Sequence, residues 1–319
     1  MLRVHFSAGD LARTRVAEGP DVLWEIVLSV QGLQERRPEP LLDAWRRRAE
    51  TRDASELRVL IPLMPVRGYF PDFLTPAAAL GGLECGVDAV RSTPRRRLRS
   101  ELELLADSGP VPSWFRTLAD GDRETLRQVG GALRRYHASV LQPEWPAISG
   151  RLEADRRHRG RVQSASGTEE MLRGFAPLLR WQSPVLTADY PTDRDIHLDG
   201  RGLLLVPSYF CHRTPVALVN EDLPPVLVYP ARTAARREPT LGACPLASLM
   251  GHTRTAVLQS LRKPRTTSEL ALHAGVSLST ASEHAAVLRR AGLVISTRDR
   301  HRVQHALSPL GSDLLHGSV

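Results

Sequence analysis

Cysteine is scarce in this chain: Cys85, Cys211 and Cys244 stand alone, an odd number with no Cys-x-x-Cys spacing. That argues against a disulfide framework and against a zinc site built on cysteine pairs, and leaves the three thiols as small buried hydrophobes. Lysine is scarcer still, with Lys263 the single lysine among 43 basic residues. Long apolar runs are missing too. No stretch of about 18 apolar residues occurs, so no membrane-spanning helix is expected. The opening MLRVHFSAGDL has neither the basic nor the apolar region of a secretory leader, and the expected location is the cytoplasm. Catalytic signatures are absent as well: there is no Gly-x-Ser-x-Gly elbow, no glycine-rich phosphate loop closed by Lys-Ser/Thr and no His-Glu-x-x-His. The chain is therefore not read as an enzyme, and no cofactor or metal is expected.

What is present is ordinary globular composition over 319 residues, 42% hydrophobic and 24% charged, enough for two domains of roughly 100–200 residues each. The net charge of +8 is unevenly spread: residues 241–319 hold 9 Lys and Arg against 4 Asp and Glu. An excess of that sign attracts phosphate-rich partners. LRVHF reads as a short strand, with Ser7 or Asp10 capping a first helical turn. PDVLWEIVLSVQGLQ places Val22, Leu23, Ile26, Val27, Val30 and Leu33 at helical spacing. Further helices are predicted at PEPLLDAWRRRAE, at SELRVLIPLMP, and over 76–90, 94–107, 112–120 and 122–141. The first 180 residues are mostly helical; the Arg-rich 150–168 is a helix joined to a loop or a flexible crossing.

From 184 the texture becomes β, with short Val, Leu, Ile and Tyr runs bounded by Pro, Asp and Gly, which predicts a small sheet. Asp199-Gly200 between RDIHL and LLLVP predicts a hairpin turn. Asp195, His197 and Asp199 alternate and could share a strand face; lining a deep pocket, they would favour an enzyme. The Pro- and Gly-containing ARTAARREPTLGACP leads to a boundary near 240. The predicted class is α+β and mostly helical, with an N-terminal domain (1–240) carrying the small sheet and a separate domain at 241–319.

That last segment carries the strongest pattern. LASLMGHTRTAVLQSLRKP predicts an amphipathic helix of about 17 residues, stopped by Pro264. In TTSELALHAGV, Thr267 caps a second helix that ends at Gly275. Ser277 or Ser279 then caps a third, in which Leu278, Ala281, Ala285 and Leu288 form the buried stripe and Ser279, Thr280, Ser282, Glu283, Ala286, Arg289 and Arg290 face outward. GLVISTRD and RVQHALS follow as two strands. Helix, helix, turn, helix and hairpin is the order of a winged helix-turn-helix, whose third helix enters the DNA major groove while the hairpin reaches adjacent phosphates.

Residues 246–316 resemble the DNA-binding domain of ArsR-type bacterial regulators. The phrases that carry the resemblance are Ser277, Ser279, Thr280, Ser282 and His284, then Leu288, Arg289, Ala291, Gly292, Leu293 and Val294, then Arg298, Asp299 and Arg302. The longer N-terminal part, in DGRGLLLVPSYF and VYPAR, resembles an architecture of actinobacterial ArsR-like proteins. Two positions depart from the family pattern: Arg300 and His301 at the hairpin tip stand where glycine is common, and Ala285 where a larger apolar residue is usual. The resemblance implies a sequence-specific DNA-binding transcriptional regulator acting as a homodimer, with Ser277, Ser279, Thr280, Ser282, Glu283, His284, Arg289, Arg298, Arg300 and Arg302 as its DNA-contacting residues. The N-terminal domain would then serve dimerisation, sensing of a small-molecule effector, or both. The family's metal-sensing residue sets are not matched. A second reading stays open at this point, in which the winged helix docks a protein and the N-terminal domain is an interaction or small-molecule module.

Overall fold

In a computed structural model, which describes residues 1–35, 40–50, 55–212, 214–231, 250–261, 264–299 and 302–316, the chain divides into two units, Met1–Thr233 and Ala234–Val319. The expected linker after 231, Cys244 and the hairpin tip Arg300-His301 lie outside the described residues.

The N-terminal unit holds two four-stranded sheets. In the first, β1 (Leu2–His5) runs antiparallel to β4 (Val185–Ala188) and parallel to β5 (Arg194–His197), while β3 (Leu179–Gln182) closes the other edge against β4. The second has β2 (Arg15–Val16) beside β6 (Leu204–Ser208), then β8 (Val226–Pro230), then β7 (Val216–Ala217). The predicted hairpin at Asp199-Gly200 is corrected by this topology. Both residues do take positive φ, +51° and +82°, but β5 pairs with β1 and β6 with β2 and β8, so the turn passes the chain from one sheet to the other. Gly202, at φ +71°, follows at a close approach: a Cβ there would sit 2.6 Å from the Arg13 backbone carbonyl carbon.

Helices fill the stretch between the strands. Ser7 caps α1 (Ala8–Arg13) in a reciprocal box with Asp10. In α2 (Val22–Gln34), Leu23, Trp24, Ile26, Val27 and Val30 are all buried, so this helix is apolar on nearly every side and forms the centre of the helical core. Around it stand α3 (Pro40–Glu50), α4 (Leu57–Leu63), α5 (Leu83–Arg91), α6 (Arg95–Ala106), α7 (Phe115–Ala119) and α8 (Arg123–Tyr136). The Arg-rich 150–168 falls within α9 (Trp145–Arg173), which breaks at Gly167, where φ is +84°. A second core lies where Met171, Leu172 and Phe175 meet the inner faces of the strands. Cys211 is buried as expected, but Cys85 is exposed.

The C-terminal unit runs α10 (His252–Ser260), β9 (Arg265–Thr266), α11 (Thr267–Ala274), α12 (Leu278–Arg290), β10 (Val294–Asp299), β11 (Arg302–Leu307) and α13 (Pro309–His316). β10 and β11 form a hairpin in register from Val294↔Leu307 to Asp299↔Arg302, and β9 adds to its other edge. Of the helix predicted from Leu246 to Pro264, α10 covers His252–Ser260 behind Gly251 at φ +84°, and 246–249 and 262–263 lie outside the described residues. The cap of α11 is Thr266 rather than Thr267. Val257, Leu258, Leu261, Leu270, Ala271, Ala281, Ala285, Leu288, Leu293 and Val294 make the core. Ala285 is 1% exposed, so the family departure at this position leaves α12 seated. Leu278 is the correction: predicted inward, it is 56% exposed. It continues the line of Ala285 two turns toward the N-terminus, past the end of the core.

Candidate nucleic-acid interface

The starts of α11 and α12 are fixed by short polar residues, with a glycine turn between them. Thr266 Oγ1 accepts the Glu269 N–H at 3.4 Å while Glu269 Oε2 accepts the Thr266 N–H at 2.8 Å, a capping box. That backbone donor holds the Glu269 carboxyl below its ordinary range. Gly275 ends α11 in the left-handed conformation, φ +65° and ψ +35°, where a side chain would be strained. Ser277 then caps α12, its Oγ accepting the Thr280 N–H at 3.2 Å and bonding Ser279 Oγ at 2.9 Å and Thr280 Oγ1 at 2.8 Å. A hydroxyl has one donor and two acceptor sites. Ser277 is thus fully engaged within its own turn, whereas Ser279 keeps hydrogen-bonding capacity toward solvent.

At 3.6 residues per turn, the exposed residues of α12 fall on one arc. Leu278, Ser279, Ser282, Glu283, Arg289 and Arg290 are exposed, and Ala281, Ala285 and Leu288 face the core. Thr280 and His284 are half-buried; at 100° per residue Thr280 lies next to Glu283 at the edge of the arc, whereas His284 lies beside Leu288, across the helix from Ser282. The ten residues implied by the resemblance therefore divide into groups: Ser279, Ser282, Glu283 and Arg289 share the open arc, Thr280 borders it beside Glu283, Ser277 caps, and His284 sits apart next to the core. Arg298 and Arg302 occupy the hairpin strands near the tip, and Arg300 lies outside the described residues.

One residue of this domain had no structural role in the sequence reading. His305 on β11 is buried, with Nε2 3.1 Å from Thr267 Oγ1 and Nδ1 2.8 Å from Ser296 Oγ. Burial pushes its imidazole below the ordinary range, with Arg289 adding to the effect. A neutral ring, donor on one nitrogen and acceptor on the other, ties the hairpin to the start of α11. Strand alternation marks its side as inward; the partner hydroxyls, 38 and 9 residues away, carry no pattern.

With this geometry in place, comparison with known families decides the domain. Residues 251–296 match the family model described as bacterial regulatory protein, arsR family. The match spans α10 to the first residues of β10, and it supports DNA-binding transcription regulation at the level of that arsR-family helix-turn-helix domain. Neither a search of curated proteins nor a search of solved structures returned a match.

The N-terminal unit has its own concavity. Asp195, His197 and Asp199 line a cavity of about 320 Å³ between β5 and the segment 218–226. Asp195 is already bound there by Arg3, Nε at 2.9 Å and Nη2 at 2.7 Å, and by His5 Nε2 at 2.7 Å. These bonds hold its carboxyl far below the ordinary range, the Arg3 bond most of all, so it is a poor proton acceptor. His197 stacks on His5 with ring centroids 4.5 Å apart. No Ser, Thr, Cys, Lys or Tyr is among the described lining residues. The three residues line one cavity, as the alternation predicted, and the Asp195 carboxylate is taken up by Arg3 and His5. Among the described residues no group of three or more His, Cys, Asp or Glu is arranged to hold a metal ion, and no helix is long and apolar enough to cross a membrane.

Proposed function

We propose that this protein is a sequence-specific DNA-binding transcriptional regulator that works as a cytoplasmic homodimer. In this reading the open arc of α12, with Ser279, Ser282, Glu283 and Arg289, enters the major groove, and the β10–β11 hairpin carries Arg298, Arg300 and Arg302 to flanking phosphates. Thr280 and His284 would meet the groove wall from the side of the helix. Two copies would set paired helices about one DNA turn apart on a pseudo-palindromic site. The N-terminal unit (domain 1–240 in the sequence division) would dimerise or sense an effector, and 241–319 would read DNA. The observation that carries this reading is the arsR-family match over the very helices whose exposed arc is small, polar and open.

The test is fluorescence anisotropy of the full-length protein against the promoter of its own gene and a scrambled duplex at two salt concentrations. Tight, salt-dependent binding to the promoter alone is the expected result. Equal binding to both duplexes would remove the claim of specificity for that promoter. Ser282→Glu places a negative charge on the exposed arc, against DNA phosphates, and should abolish promoter binding while the circular dichroism spectrum stays unchanged. Unchanged affinity would mean that α12 is not the reader.

A further inference from the structure

We propose that the cavity between β5 and residues 218–226 of the N-terminal unit binds a small organic carboxylate, with Arg194 as its anchor. The cavity volume, about 320 Å³, lies at the small end of the range for ligand pockets, roughly 300–1,000 Å³. Its far wall is held from both sides. Arg194 Nη2 donates to the carbonyls of Leu218 at 2.5 Å and Val219 at 3.2 Å, while Asp72 Oδ2 accepts the N–H groups of Val219 at 3.0 Å and Asn220 at 2.7 Å. Arg201 pins the next stretch, Nη1 donating to the Glu221 carbonyl at 2.6 Å. A wall tied in this way is preformed and needs little ordering when a ligand enters.

The charges choose the ligand. Arg201 spends four of its five donors on carbonyls of Leu198, Glu221, Leu223 and His197, so it braces the wall. Arg194 is different. Its Nε and Nη1 have no hydrogen-bond partner among the described residues, and no carboxylate of those residues lies within 4.0 Å of it. Its charge meets only neutral carbonyls. Of the three acids in the lining, Asp195 is paired with Arg3 and bonded by His5, the Asp199 side chain is 75% exposed, and Glu221 is exposed. A half-buried guanidinium with open donors matches a carboxylate in charge and shape. Ile196, Leu218, Leu223, Pro225 and Val226 offer hydrocarbon to the rest of the ligand, which inorganic phosphate would leave unused.

The experiment uses full-length protein without DNA, so its outcome is separate from that of the DNA-binding reading. Hexanoate, benzoate and phenylacetate are titrated at millimolar concentration by calorimetry and thermal shift, each beside its own primary amide and beside inorganic phosphate. At least one carboxylate should bind saturably, with its amide and phosphate weaker by about tenfold or more, since a charge-assisted bond is lost. Arg194→Gln should weaken the carboxylate by the same factor. Because Arg194 also holds the wall, Pro224→Glu, at an exposed lining position, gives a second variant that adds like charge without removing a bond, and it too should weaken binding. No saturable carboxylate binding, equal binding of acid and amide, or full binding in both variants would overturn the proposal.

Discussion

The two units reach a buried core by different means. All sixteen aromatic residues of the chain lie before residue 231, and none lies in the C-terminal unit, whose core is alanine, valine and leucine alone. The N-terminal unit packs aromatic pairs, such as Trp24 with Phe70 and Phe175 with Tyr229, and it also buries carboxylates: Asp10, Asp21, Glu25, Glu56, Asp72, Glu101 and Asp155. Several of these fasten distant backbone. Asp10 accepts the Gly202 N–H, Glu25 those of Tyr209 and Phe210, and Asp72 those of Val219 and Asn220. The small unit closes by periodic apolar spacing; the large one is stitched by acids from its first 72 residues to backbone near 200–220.

The widest break in this comparison comes from a charge in the small core. Ala285→Asp buries an unpaired carboxylate where the side chain is 1% exposed, a cost of about 4 kcal/mol or more. It should unfold the C-terminal unit. Because all five tryptophans lie in the N-terminal unit, the urea midpoint read by tryptophan fluorescence should stay in place while helical circular dichroism falls. A shared loss of both signals would show that the units do not unfold separately.

Glu25→Ala tests the stitched unit in the opposite sense. It leaves the Tyr209 and Phe210 N–H groups without their acceptor in a fully buried site, which costs about 2–4 kcal/mol. The fluorescence midpoint at pH 5 should drop, with circular dichroism of the C-terminal unit unaffected. A midpoint within error of wild type would mean that the carboxylate is not what holds residues 208–210.

The same contrast governs what the sequence made legible. In the C-terminal unit the decisive ties are short: Ser277 to Thr280, Thr266 to Glu269, and the hairpin register. Spacing alone therefore predicts the element order and the outward position of Ser279, Ser282, Glu283 and Arg289. It also sets His284 on a different flank from Ser282, a consequence of 100° per residue that the phrase resemblance does not use. In the N-terminal unit, β1 pairs Leu2 with Ala188 and Arg194, and no local pattern carries a separation of that length. The hairpin expected at Asp199-Gly200 failed for this reason. The turn was legible and the partners of its strands were not. Arg194, the proposed anchor, left no signal either, since its role depends on carbonyls more than twenty residues away.

Acid content gives the stitched unit a pH dependence. Burial raises the Glu25 carboxyl to about 7, and hydrogen bonds from Ser208 and the backbone of Tyr209 and Phe210 only partly oppose it. Asp21 is raised to about 7 and Asp72 to about 6, again by burial. A carboxyl whose folded pKa lies above its unfolded value stabilises the fold fully below the unfolded value, and this is lost as pH rises through the folded one. For Glu25 the loss between pH 5 and 8 is roughly 2–3 kcal/mol. The wild-type fluorescence midpoint should therefore fall over that range. Glu25→Gln, which cannot ionise, should fall less, leaving the slope due to Asp21 and Asp72. Equal slopes would show that Glu25 does not ionise in this window.

The smallest expected effect separates periodicity from burial within the small unit itself. Leu278 and Leu288 belong to one apolar stripe in the sequence, but Leu288 is 1% exposed and Leu278 56%. Leu288→Ala removes packed methyl groups from the core and should cost about 2–5 kcal/mol. Leu278→Ala removes groups already largely in water and should change stability by about 0.5 kcal/mol or less. Urea unfolding of the full-length protein followed by circular dichroism measures both. Helix periodicity fixes the direction of a side chain but not whether anything is packed there, and at the first residue of α12 the core, which reaches Ala281, has already ended. A cost for Leu278→Ala comparable to that for Leu288→Ala would mean that the start of the helix is covered, and that its exposed arc is narrower than Leu278 to Glu283.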